Sequence, residues 1–583
     1  MIDNLYTSAF TRRGFIAAGI TSGVAAVLAL SGCGTKGARG AAGSSQGPSS
    51  GEPDDVQELN LDFEDLQTLD VNDIRNYNEF LVLSQCHEGL FRRLTVDGND
   101  KLVEAGCESY DVSDDGLTYT FHLRENTWSD GEPVTAQQYV DSVRRLTDPK
   151  NGFSYAFMAE DIKGVLDFEN GQGSVDDIAV KALDDKTLEI TLVAPFPYFL
   201  GKIANACFDP IRKDLVDKYG KDMANDFTKQ VYSGPFIISD RVRDNTLTLE
   251  PNPKFWDAKS IKLNKVTYTV VPEEATKSQL INAKQLDAVQ SETDYVEKWK
   301  KDAEADKLEY RSQSKASNVY VSYNQHTGGP SGLMNNAKVR QAISLCFDRD
   351  EFNKTLYGDI DKVAYGLIPP EMHCGKKVYR EEADEPLALL VKKYDSKDKV
   401  VKLFKEGVKE VTGSDDLSKI ELEVLAQTAN AKAKNTLEWL AQSVEDVLGI
   451  KVKQNAQSES ATFVSERDAN HYDYYLMGWS ADFDDPITFF DLFASDSGYA
   501  KFMGGYHNDE YDRLYNSLRT LGNADKRLDI YKQLEQNLVA DNAGVCPLLY
   551  EYKQIFIQPY VKDLSTPMFG TDFDVSRTYI SGK

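Results

Sequence analysis

The sequence predicts a mixed α/β fold. Short runs alternate apolar and polar residues, the period of a half-buried strand. Other runs repeat apolar residues every three to four positions, the period of a helix packed on one face. The two kinds intermingle along the chain instead of forming separate blocks, which is the pattern of layered helices and sheets.

Taken in order, the first clear strand is at 117–123, where Leu117, Tyr119, Phe121 and Leu123 alternate with polar residues. Asp130-Gly131 makes a turn. Thr135 then caps a helix, with Gln138 placed for a capping box. Tyr139, Val143 and Leu146 share a face of that helix, and Asp148-Pro149 ends it. Alternating strands follow at Leu188, Ile190 and Leu192, at Leu247 and Leu249, and at Val266, Tyr268 and Val270. Further on the helical period takes over. Val339, Ala342, Ile343, Cys346 and Phe347 fall on one helix face, as do Leu437, Leu440, Val444, Val447 and Leu448. Gly449 stops the second helix before a short strand from Ile450 to Val452. There is no internal repeat and no second low-complexity linker, so any domains are joined by several chain crossings.

A chain of 583 residues exceeds one ordinary core and suggests two or three domains. A hydrophobic fraction of 41% and 30 tyrosines fit a globular protein. The net charge of −27 argues against nucleic acid as the main partner, because phosphate repels it.

Residues 1–33 read as an address. Thr11-Arg12-Arg13-Gly14-Phe15-Ile16 resembles a twin-arginine export signal, and Phe15 to Leu30 is apolar and uncharged. That run is shorter than the roughly 20 residues of a spanning helix. Leu30-Ser31-Gly32-Cys33 resembles a bacterial lipobox, in which Cys33 becomes the lipidated first residue; an uncleaved anchor is the alternative. Either way the body lies outside the cytoplasmic membrane. Residues 34–56, rich in Gly, Ser and Ala, make a flexible tether. Gly43-Ser44-Ser45-Gln46-Gly47 matches a hydrolase pattern, but that pattern needs a strand before it and a helix after it.

Catalytic and metal signatures are missing. The six histidines (His87, His122, His326, His373, His471, His507) show no metal-site spacing, and there is no glycine-rich phosphate loop. The expectation is a protein that is not an enzyme and needs no cofactor. Cys86, Cys107, Cys207, Cys346, Cys374 and Cys546 permit disulfides in an oxidising compartment, and buried thiols equally.

One turn stands out. "MGWSADFDDPITFF" at 477–490 puts Asp482, Asp484 and Asp485 between Trp479 and Pro486. Carboxylates beside an apolar ring suit a cation leaving water, and equally suit the cap of a turn.

Several segments together resemble the extracytoplasmic solute-binding proteins of ATP-driven oligopeptide and dipeptide importers. They are His87-Glu88-Gly89-Leu90, "DVSDDGLTYTFHLRENTWSDGEPVTAQQYVDSVRRLTDP" at 111–149, "YSGPF" at 232–236, "LEPNPKFW" at 249–256, "AKVRQAISLCFDRDEF" at 337–352, "GWSADFDDPITFF" at 478–490, "YDRL" at 511–514 and "CPLLYEY" at 546–552. The resemblance implies a two-lobed, type II-like periplasmic-binding-protein fold with an extra domain inserted in the first lobe. Lobe I would comprise 57–87, 225–314 and 546–583, domain II 88–224, and lobe III 315–545. It implies a monomer, lipid-anchored outside the cell, that closes on an oligopeptide and hands it to a membrane permease.

By the same resemblance Asp482 takes the peptide α-ammonium, while Tyr155 in "FSYAF" and Trp479 line the site; Asp484 and Asp485 are left as turn and surface residues. The sequence departs from some oligopeptide binders. Leu476 stands where they carry Arg, Ser460 where they carry a pocket Trp, and Ala316 and Ser480 where one branch has a cystine. These departures leave peptide length open. Relatives that bind nickel chelates, haem or oligosaccharides supply one alternative, and a peptide-pheromone sensor another.

Overall fold

The computed structural model describes residues 51–583 except 97, 292–294, 498 and 501–502. The export signal, Cys33 and most of the tether lie outside the described residues.

Ten strands run edge to edge in one sheet, in the order Lys451–Gln457, Glu421–Gln427, Tyr474–Ser480, Glu309–Tyr323, Val545–Ile557, Ala288–Ser291, Glu58–Phe63, Lys265–Val270, Thr246–Pro251 and Phe236–Val242, and Lys362–Val363 pairs beside Val545–Ile557. Glu58–Phe63 is parallel to its two neighbours, as is Glu421–Gln427, and the two longest strands are antiparallel. Leu59, Leu61, Leu247, Leu249, Val266 and Tyr268 are fully buried, so the alternation read from the sequence faces a core.

The two longest strands, Glu309–Tyr323 and Val545–Ile557, run through both halves of the sheet. Glu309 to Ser314 opposes Ile557 to Tyr552, and pairing resumes at Ser317 opposite Glu551. The bulge between holds Ala316 at φ +49°, a left-handed backbone in a buried residue. Extra residues of this kind bend and twist a strand where two sheet segments meet.

A separate four-stranded sheet, Cys107–Val112, Thr118–Leu123, Thr187–Thr191 and Val180–Asp184, carries the helix Ala136–Leu146. The expected capping box is present. The Thr135 backbone N–H donates to Gln138 Oε1 at 3.1 Å, and Trp128 Nε1–H donates to the same oxygen at 2.9 Å. One glutamine thus fixes the helix start and the buried indole.

Two elements differ in extent. The helix expected to reach Phe347 is Ala337–Ser344. Asp348 caps the next helix by accepting Glu351 N–H at 3.0 Å, so the chain must leave the first helix earlier. Cys346 and Phe347 are buried beyond it instead of on its face. The strand after Gly449 extends over Lys451–Gln457. It lies at the sheet edge and is held by backbone pairing, so its polar residues gave little sign of it. All six described cysteines are free and buried. No helix among the described residues is long and apolar enough to cross a membrane.

Candidate ligand-binding site

The strand Tyr474–Ser480 pairs with Glu309–Tyr323 so that Trp479 opposes Asn318 and Ser480 opposes Ser317. Ala481 N–H donates to the Ala316 carbonyl at 2.9 Å, bringing the aspartate turn to the strand bulge. The turn is then closed without the Asp482 side chain. Asp482 N–H reaches Thr488 Oγ1 at 3.4 Å, and Asp485 Oδ1 accepts Ile487 N–H at 3.0 Å and the Tyr531 hydroxyl at 2.6 Å. Asp485 is therefore a buried cap, not the surface residue expected. Asp484 accepts the His373 backbone N–H at 2.8 Å and pairs with the His373 ring at 2.9 Å. Among the described residues the Asp482 carboxylate has no hydrogen-bond or ion-pair partner.

Asp482 faces a cavity of about 60 Å³ whose other walls come from Phe80 to Arg93, Gly201 to Asp209 and Phe569 to Asp574. Burial pushes its carboxyl up to about 7, with the Lys202 ammonium pulling the other way. Lys202 is already engaged, with Nζ 2.7 Å from Asp161 Oδ2 and 5.5 Å from the Phe483 ring centre. Asp491 is likewise pushed to about 7 by burial; Lys202 lowers it, while Glu160, Asp482 and Asp161 raise it. One ammonium thus serves several carboxylates, and the surroundings favour an incoming cation. A larger cavity of about 530 Å³, lined by Ile281 to Lys284 and Gln558 to Lys562 among others, contains none of the expected site residues.

Tyr155 and Trp479 do not line the small cavity. They belong to a chain of rings beside it. Phe80 meets Tyr155 edge-on at 5.4 Å, Tyr155 stacks with Phe157 at 5.9 Å, Phe157 meets Tyr499 at 5.9 Å and Tyr499 meets Trp479 at 5.3 Å. Burial and the nearby Asp482 carboxylate hold the Tyr155 hydroxyl far above the usual phenol range. The three expected residues are thus one neighbourhood. The sequence reading missed Lys202, Asp209 and Asp491. The first two sit in the apolar stretch "FLGKIANACFDPI" at 199–211, where an isolated charge needs a partner or a ligand.

Residues 101–501 match the bacterial extracellular solute-binding proteins, family 5 Middle. The chain belongs to this family. The oligopeptide-binding protein OppA of Bacillus subtilis is 30% identical over 492 residues, covering 82% of this chain and 84% of OppA. The dipeptide-binding protein DppE of the same organism is 29% identical over 479 residues, covering 82% and 83%. The structure of Listeria monocytogenes OppA bound to peptide superposes with a TM-score of 0.73 at 28% identity, covering 91% of this chain and all of that one. This family 5 protein has the two-lobed, type II-like periplasmic-binding-protein fold with an inserted domain, and it is a solute-binding protein of the ATP-driven importer class.

Proposed function

We propose that this family 5 protein captures oligopeptides outside the cell and delivers them to the permease of an ATP-driven importer. The observation that carries the reading is the Asp482 carboxylate, drawn into a cavity between chain segments far apart in sequence and left without a partner among the described residues. A peptide α-ammonium supplies the missing charge, in a setting where a charge-assisted hydrogen bond is strong. Tyr155 and Trp479 supply the adjacent aromatic wall. The relatives named for oligopeptide and dipeptide binding support peptide as the solute.

The domain division of 57–87, 225–314 and 546–583, of 88–224, and of 315–545 belongs to the same proposal. The bulge between Ser314 and Ser317 lies beside one of its boundaries and supports a hinge there. Binding is by lobe closure, with peptide preferring the closed state and shifting the population toward it. The chain acts as a monomer without cofactor, held to the membrane by lipid on Cys33 after export on the 1–33 signal.

Isothermal titration with short peptides, the same peptides N-acetylated, and the Asp482→Asn variant tests the reading. Free peptides bind the wild type. Acetylation or the substitution weakens binding by about 10²–10⁴-fold, as removal of one partner of a buried pair at about 3–5 kcal/mol requires. Binding indifferent to both changes rejects Asp482 as the anchor, and no peptide binding at all rejects the solute.

A further inference from the structure

Asp209 is one of three aspartates on the cavity that Asp482 faces, and the third, Asp574, is paired with Arg92. It is 4% exposed, and among the described residues its carboxylate accepts no hydrogen bond and forms no ion pair. Gly89 makes room for it, since a Cβ there would lie 2.5 Å from Asp209 Oδ1. The nearest cation does not serve it. Arg92 is held by Glu88 at 2.5 Å and by Asp574 at 2.6 Å, so its charge is already overmatched. Arg93 is 3.5 Å from Asp100 and lies over the Phe569 ring at 4.7 Å. Burial first, and then the Asp209 and Asp482 carboxylates, push up the Cys207 thiol beside the cavity wall. Phe80, Phe91 and the aliphatic Ala204 and Ala206 line the space between the polar groups.

A buried, unpartnered carboxylate is costly unless a cation reaches it. Asp482 alone is enough for an α-ammonium; a second such group on the same cavity asks for a second positive charge. The cavity volume of about 60 Å³ corresponds to roughly four to six water-sized groups, close to the heavy atoms of a lysine side chain.

We propose that Asp209 is a specificity-determining residue that receives the cationic side chain of the peptide's first residue while Asp482 holds its α-ammonium. The inference rests on the reading of Asp482 above and names the peptides that this site prefers, those beginning with lysine or a similarly shaped cation. The apolar lining covers the methylene stem, and the carboxylate at the wall meets the charge.

Titration of the full chain with Lys-Ala-Ala, norleucine-Ala-Ala and Nε-acetyl-lysine-Ala-Ala tests it, because the three share a free α-ammonium and a similar stem. Wild type favours Lys-Ala-Ala over both others by about tenfold or more, the scale of one charge-assisted contact. Asp209→Asn brings the affinities of the lysine and norleucine peptides together. Equal affinities on the wild-type chain overturn the inference without use of any variant, and a preference that survives in Asp209→Asn overturns Asp209 as its source. In either case, norleucine-Ala-Ala binding that is lost on N-acetylation leaves the assignment of Asp482 standing. Failure of all three peptides to bind rejects both readings together.

Discussion

A carboxyl that titrates near 7, as Asp482 does, ties stability and binding to pH in opposite senses. Its folded value lies above the ordinary 3.8, so between 3.8 and about 7 the folded chain keeps a proton that the unfolded chain has lost. Stability contributed by this group therefore falls as pH rises through that window. In the absence of peptide, Asp482→Asn should melt higher than wild type at pH 8 and level with it at pH 4, by calorimetry. With peptide the sign turns, because the ammonium needs the ionised form. Affinity should rise from pH 5 to about 7.5 and decline again as the peptide α-amine, with a pKa of about 8, loses its proton. Titrations in two buffers of different ionisation heat should register proton release on binding near pH 6.5. Burial raises Asp485 to about 6 and Asp491 to about 7, so they share the stability trend, and only the difference between wild type and Asp482→Asn reports the Asp482 share.

The bulge in the strand Glu309–Tyr323 puts the buried Ala316 in the left-handed region, where a β-branched side chain is a genuine outlier. Ala316→Val should cost about 2 kcal/mol or more and loosen the Ala481 contact, seen as a lower denaturation midpoint and weaker peptide binding. Nothing in "SKAS" announces this conformation. Other elements were legible because local physics decided them. Thr135 and Gln138 form their capping box, Gly449 ends its helix at φ +68°, and alternation at 117–123 marks the strand Thr118–Leu123. The polar edge strand Lys451–Gln457 was underestimated, since backbone pairing, not side-chain burial, defines it. For the candidate site, motif resemblance named Asp482, Trp479 and Tyr155, which the fold brings into one neighbourhood. It did not reach Lys202 or Asp209, whose surroundings exist only after distant segments meet.

Across the whole molecule, segments of the inserted region touch the region after the bulge through a few rings. Tyr198 stacks on Phe483 at 5.1 Å, Phe157 meets Tyr499 at 5.9 Å, and the Arg527 guanidinium lies 5.2 Å from the Tyr198 ring centre. Each aromatic pair contributes about 0.5–1.5 kcal/mol beyond burial. Losing both through Tyr198→Ala and Phe157→Ala should shift an open–closed equilibrium by roughly 5- to 150-fold toward open. Small-angle scattering without peptide should then report a larger radius of gyration, and an unchanged radius would show that these rings do not hold the halves together. The sheet order carries one more consequence. The strand Val545–Ile557, close to the end of the chain, lies between Glu309–Tyr323 and Ala288–Ser291. The two sheet halves therefore cannot be joined until residues 545–557 have been made, and a chain that stops short of residue 545 leaves strand edges exposed to aggregation.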